Sequence, residues 1–76
     1  MNKERRASLK KARELLDRAI GIIEEARDDE QESLDNLPEN LQNSDRYEDM
    51  ESAIESLEYA LDNIDEAKDC IDEAAA

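Results

Sequence analysis

Seventy-six residues set the scale of one domain, and a chain that is 43% charged with no tryptophan, phenylalanine or histidine has little from which to build an aromatic core. A formal charge of −13 opposes nucleic acid as a direct partner and favours basic ones. Cys70 is alone, which excludes an internal disulfide, and no apolar run nears the roughly 18–20 residues of a membrane span.

Residues 2–35 carry the pattern of a first helix. With Leu9 as position a of a heptad, the a and d sites read Leu9, Ala12, Leu16, Ala19, Ile23 and Ala26, and Leu15, Ile20 and Ile22 fall on flanking positions. The apolar face is therefore wider than the seam of a two-stranded coiled coil, and one neighbouring helix cannot cover it. Gly21 falls on the outer face. The run Arg27–Ser33 is polar but made of helix formers, so the helix is expected to continue through it, weakly held, to Leu34.

Residues 36–44 break the pattern. Pro38, the only proline, lacks an N–H and disfavours helical geometry at Leu37. Asn36, Asn40, Asn43 and Ser44 compete for backbone hydrogen bonds and favour turns and caps. A short helical turn starting at Pro38 is expected, because proline suits a first helical position. Leu34, Leu37 and Leu41 read as an apolar plug. Ser44 reads as the N-cap of a second helix, with Asp45, Glu48 and Asp49 placed where the helix dipole favours negative charge.

Residues 45–75 form that second helix, with Tyr47, Met50, Ile54, Leu57, Leu61, Ile64, Lys68 and Ile71 on the seam. Lys68 can pack its stem there while its ammonium reaches out. Ala53, Ala60, Ala67 and Ala74 recur every seven residues beside the seam, as Ala12, Ala19 and Ala26 do in the first helix, which suits close packing of two alanine rows. Tyr59 lies off the seam and is expected to be exposed or at an interface edge. Residues 1–18 hold seven basic and three acidic side chains, a balance of +4, and residues 19–76 a balance of −17. Both helices thus carry the wrong charge for their free-end dipoles, which is resolved if the chain doubles back and sets one end beside the other.

Catalytic constellations are missing from this pattern. There is no Ser-His pair, no histidine to activate Cys70, no phosphate-binding glycine loop and no EF-hand spacing. The reading is a non-enzymatic protein with no cofactor and no metal. Without interleaved aromatics, the basic stretch Lys3–Arg18 lacks a base-stacking surface.

The stretch 29–46, with Leu37-Pro38-Glu39 and Leu41-Gln42 followed by Met50, Ala53, Leu57, Ala60 and Ile64, resembles a group of small acidic proteins encoded by phages and prophages of Gram-positive bacteria. Those share a polar run, a Leu-Pro-Glu-like turn, a Leu-Gln pair and a second amphipathic helix. The resemblance implies a phage setting and the host cytoplasm; it implies no catalytic residues. The absence of an apolar run after the basic start agrees with a soluble protein outside the secretory route.

The expectation is an all-α antiparallel two-helix hairpin, coiled-coil-like, in one domain over 1–76, that dimerises into a four-helix bundle. Its expected interface is Leu15, Leu16, Ala19, Ile20, Ile22, Ile23, Ile54, Leu57, Leu61 and Ile64. The leading function is a self-associating structural or protein-interaction module. The alternative is an acidic mimic of nucleic acid that inhibits a host defence nuclease or another DNA-binding protein, through Glu55, Glu58, Asp62 and Glu66 on the outer part of the second helix.

Overall fold

The computed structural model describes residues 1–76. It consists of two α-helices, α1 (Lys3–Asp35) and α2 (Asp45–Ala75), joined by a segment that contains one 3-10 turn, Glu39–Leu41. The chain is an all-α antiparallel hairpin, 59 Å long over its Cα atoms, two helices wide and one helix thick.

The ends of each element follow from local chemistry. Asn2 is extended, and its side-chain oxygen accepts the Arg5 N–H at 2.8 Å. It is therefore the cap of α1 and not its first residue. At the other end the N–H of Asn36 reaches Glu32 O at 3.1 Å and the N–H of Leu37 reaches Leu34 O at 3.2 Å. Pro38 then turns extended, with ψ 149°, and has no N–H to continue the ladder. It stands one residue ahead of the 3-10 turn, which the Leu41 N–H closes onto Pro38 O at 2.9 Å. Ser44 caps α2 as its position implies: its oxygen accepts the Tyr47 N–H at 3.3 Å. Its hydroxyl also donates to Leu41 O, tying the turn to the helix that follows.

On α2 the expected seam, from Tyr47 through Ile54 and Leu61 to Ile71, is buried or half-buried throughout, and Ala53, Ala60 and Ala75 are half-buried besides. On α1 the seam differs from the expected one. Leu9, Arg13, Leu16, Ile20, Ile23, Arg27, Glu30 and Leu34, at strict four-three spacing, are the residues withdrawn from solvent at its centre. Ala12 and Ala19 are half-buried at its edge, and Ala26 is exposed. The row of small residues flanks the seam, and three charged side chains take positions within it. Long charged side chains do this by packing their stems and turning the head outward.

The densest packing lies beside the turn. Leu34, Met50 and Ile54 form a buried cluster against which Leu37 and Tyr47 pack. Leu41 remains 37% exposed, so the plug is made of two leucines and not three. Farther along, Leu61 is the one other buried residue. Each such side chain contributes about 1.5–3 kcal/mol on burial. Four buried residues in 76 make a thin core for a chain of this length. Gly21 faces open space, where an added Cβ meets nothing within 4 Å.

Candidate interaction surfaces

Two ion pairs fix how the helices lie against each other. Lys68 Nζ pairs with Asp17, and Arg13 Nε lies 2.9 Å from Asp72 Oδ1. The two pairs have the same sum of residue numbers, so each step forward along α1 matches one step back along α2. The Lys68 side chain is 19% exposed, as expected of a stem in the seam with its ammonium at a carboxylate. The Arg13 contact is close enough for charge attraction but lacks hydrogen-bond alignment, and its Nε is shielded from solvent without another partner.

Asp17 is held below the usual carboxylate range, first by its hydrogen bond to Lys68, with the Lys68 and Arg13 charges adding to this and partial desolvation opposing it. A carboxyl lowered on folding contributes stability above its unfolded value, and that contribution is lost as pH falls through the lowered folded value. Asp17→Asn is therefore expected to lower the thermal midpoint slightly at neutral pH, with the difference closing once pH passes below the ordinary carboxylate range. Circular-dichroism melts of both forms at neutral and acid pH test this. A gap that persists in acid would mean that Asp17 acts through something other than its charge.

Both pairs lie on one side of the hairpin, the side formed by residues that follow each seam position. There α1 presents Lys10, Asp17, Glu24 and Gln31, and α2 presents Glu51, Glu58, Asp65 and Asp72, all exposed. A shallow groove beside the turn confirms that these flanks adjoin, because Gln31 of α1 lines it together with Glu51, Glu55 and Glu58 of α2. Tyr47, Leu34 and Ile54 contribute its apolar part. Asp62 and Glu66, expected with Glu55 and Glu58 as an acidic partner surface, are likewise exposed along α2.

The opposite side is formed by residues that precede each seam position; it is free of charge from Ser8 to Ala26 on α1 and from Ala53 to Ala74 on α2, and Asp29, Arg46 and Asp49 continue it at the turn end. On α1 it reads Ser8, Ala12, Leu15, Ala19, Ile22 and Ala26 at alternating four- and three-residue spacing. On α2 it reads Ala53, Ser56, Ala60, Asn63, Ala67, Cys70 and Ala74 at the same spacing. The register sets the two rows level, with Ala12, Ala19 and Ala26 opposite Ala74, Ala67 and Ala60. The largest side chains here are Leu15 and Ile22, 53% and 69% exposed. Small residues along both rows keep the rest of the face flat and low.

The ten residues expected at an oligomer interface therefore divide. Ile54 and Leu61 are buried inside the hairpin, and Leu16, Ile20, Ile23, Leu57 and Ile64 are half-buried along its seam. Ala19 sits at the edge of the uncharged face, and Leu15 and Ile22 stand out from it. The two alanine rows and Leu15 and Ile22 were each named from the sequence, but not as one face: no charged residue interrupts it from Ser8 to Ala26 or from Ala53 to Ala74, which is visible only once the correct seam is drawn. Tyr59 is exposed, 61% of it, on the outer side of α2. Cys70 is free and exposed. No group of three or more acidic or cysteine side chains is placed to hold a metal ion. No helix is long and apolar enough to cross a membrane. Comparison with protein-family models, with curated proteins and with solved structures finds no match to this chain.

Proposed function

We propose that this chain is a non-catalytic interaction module that works by self-association, two hairpins joining into a four-helix bundle. The observation that carries the reading is the exposure of Leu15 and Ile22 on an uncharged face, in a hairpin whose own core holds four buried residues. A chain of this length that buries so little gains from a partner that covers apolar surface. Light scattering coupled to gel filtration tests the reading, together with thermal melts over a range of protein concentration. Twice the mass of 8.7 kDa and a midpoint that rises with concentration are expected. A monomeric mass with a concentration-independent midpoint overturns it. A phage setting and a cytoplasmic location belong to the same proposal and rest on the resemblance of the turn region.

A second reading is favoured by a separate observation: Glu55, Glu58, Asp62 and Glu66 are all exposed along one helix. A basic protein that normally binds nucleic acid is the partner such a surface fits. Its binding would weaken steeply with salt and be competed by DNA. Replacing the four carboxylates by alternating glutamine and lysine separates the readings. Partners that are captured equally by both forms at low and moderate salt defeat the mimicry reading. Loss of capture with helicity and mass unchanged supports it.

A further inference from the structure

We infer that the uncharged face receives a second copy of this chain running antiparallel to the first, the turn end of one hairpin lying over the open end of the other. The inference rests on the self-association proposed above and adds to it the face and the direction.

Charge selects the occupant. Each copy carries −13 overall, and its carboxylates crowd the opposite side and the turn end. Two copies can meet with least stacking of acid on acid through the side whose rows carry none from Ser8 to Ala26 and from Ala53 to Ala74. A basic partner would find no counter-charge there and would take the acidic side instead. Size agrees: the two rows span about 30 Å along helices at 1.5 Å per residue, and two adjacent helices are about 20 Å wide. A flat footprint of about 600 Å² is of the order of the roughly 800 Å² per partner in stable interfaces, before the relief of Leu15 and Ile22 is added.

Charge also selects the direction. Residues 27–51, the turn end, hold two basic and ten acidic side chains, a balance of −8. The open end, residues 1–18 of α1 with 67–76 of α2 beside them, holds eight basic and six acidic side chains, a balance of +2. A parallel dimer would set the two −8 ends side by side. An antiparallel dimer, with its two-fold axis near Ala19, brings Lys3, Arg5 and Arg6 of each copy level with Glu32 and Asp35 of the other. Like charges are separated and opposite charges are brought together.

The test uses the full chain. In the hairpin Leu15 and Ile22 are more than half exposed, so Leu15→Glu with Ile22→Glu is expected to convert the dimer to monomer, whereas Tyr59→Glu, exposed on the outer side, leaves the dimer mass unchanged. Direction is read separately from a spin label at Asn40, exposed in the turn, in a Cys70→Ala background whose mass is first shown to be that of a dimer. Antiparallel copies place the two labels about 60 Å apart, and parallel copies place them within about 25 Å. A monomeric wild-type chain sinks the self-association reading and this inference with it. A dimer that survives both glutamates shows that another face is used, and a short label distance shows a parallel dimer; either overturns this inference and leaves self-association standing.

Discussion

Ile54→Asp is expected to abolish the fold: the helical signal in circular dichroism at about 25 °C should fall to that of an unfolded chain. Ile54 is 7% exposed, the least of any residue, and sits between Leu34 and Met50 in the cluster beside the turn. The substitution removes about 1.5–3 kcal/mol of apolar burial. It also puts a carboxylate where its neighbours are aliphatic, and burying a charge without a partner costs several kcal/mol more. Total stability for a chain of this size is about 4–11 kcal/mol. The sum of the losses reaches that range. Leu41→Asp, at a leucine 37% exposed in the same region, serves as the comparison and is expected to melt close to wild type. If Ile54→Asp retains a cooperative melt near the wild-type midpoint, the cluster is not what holds the turn end together.

The second large effect has the opposite sign. Arg27→Leu combined with Lys68→Leu is expected to raise the thermal midpoint by about 8–16 °C. Both side chains lie in the seam, 28% and 19% exposed. Arg27 bonds only to Asp28, its neighbour in the helix, at 3.1 Å and 3.2 Å, so its guanidinium links nothing across the hairpin. Lys68 does bridge the helices, but exposed pairs of this kind are worth about 0–1 kcal/mol. A leucine at each position adds apolar burial of roughly half the fully buried value, about 1 kcal/mol net per site after the lost pair is subtracted. At about 4–8 °C per kcal/mol for a domain this small, two sites give the shift stated. A double variant no more stable than wild type would mean that the charged stems already fill the seam as well as leucine does. The gain has a cost in uniqueness: with Lys68 gone, only Arg13–Asp72 still marks the alignment of the helices.

These charged seam residues also explain what sequence reading recovered and what it did not. The turn was legible because Pro38 and its Asx neighbours act locally, through a missing N–H and side chains that compete with the backbone. The cap at Ser44 was legible for the same reason. The seam of α2 was legible because large apolar residues occupy it from Tyr47 to Leu61 without a gap. The seam of α1 was not. Arg13, Arg27 and Glu30 occupy it, and a reading by hydropathy sends charge outward and accepts the neighbouring row of alanines in its place. The error is one residue around the helix, yet it moves Leu15 and Ile22 from the edge of the expected seam to a separate face. Locating that face requires the alignment of α1 with α2, which depends on ion pairs between residues more than fifty positions apart. The excess of apolar residues on α1 was visible all along; its direction was not.

The position of the buried cluster next to the turn bears on how the chain reaches its structure. Leu34 and Ile54 are separated by 20 residues, whereas Arg13 and Asp72 are separated by 59. Closing a shorter loop costs less entropy, and the shortest interhelical loops here are also the ones that bury the most. Folding is then set to begin where Leu34, Met50 and Ile54 meet and to proceed toward the termini like a zip, each pair of turns held in place by the pair before it. The order also runs in reverse. Thermal opening starts at the end that holds residues 3 and 75, where no residue is buried, and the turn end is the last to let go. A hairpin built this way can loosen its free ends, basic helix start included, while the junction that defines its topology stays closed.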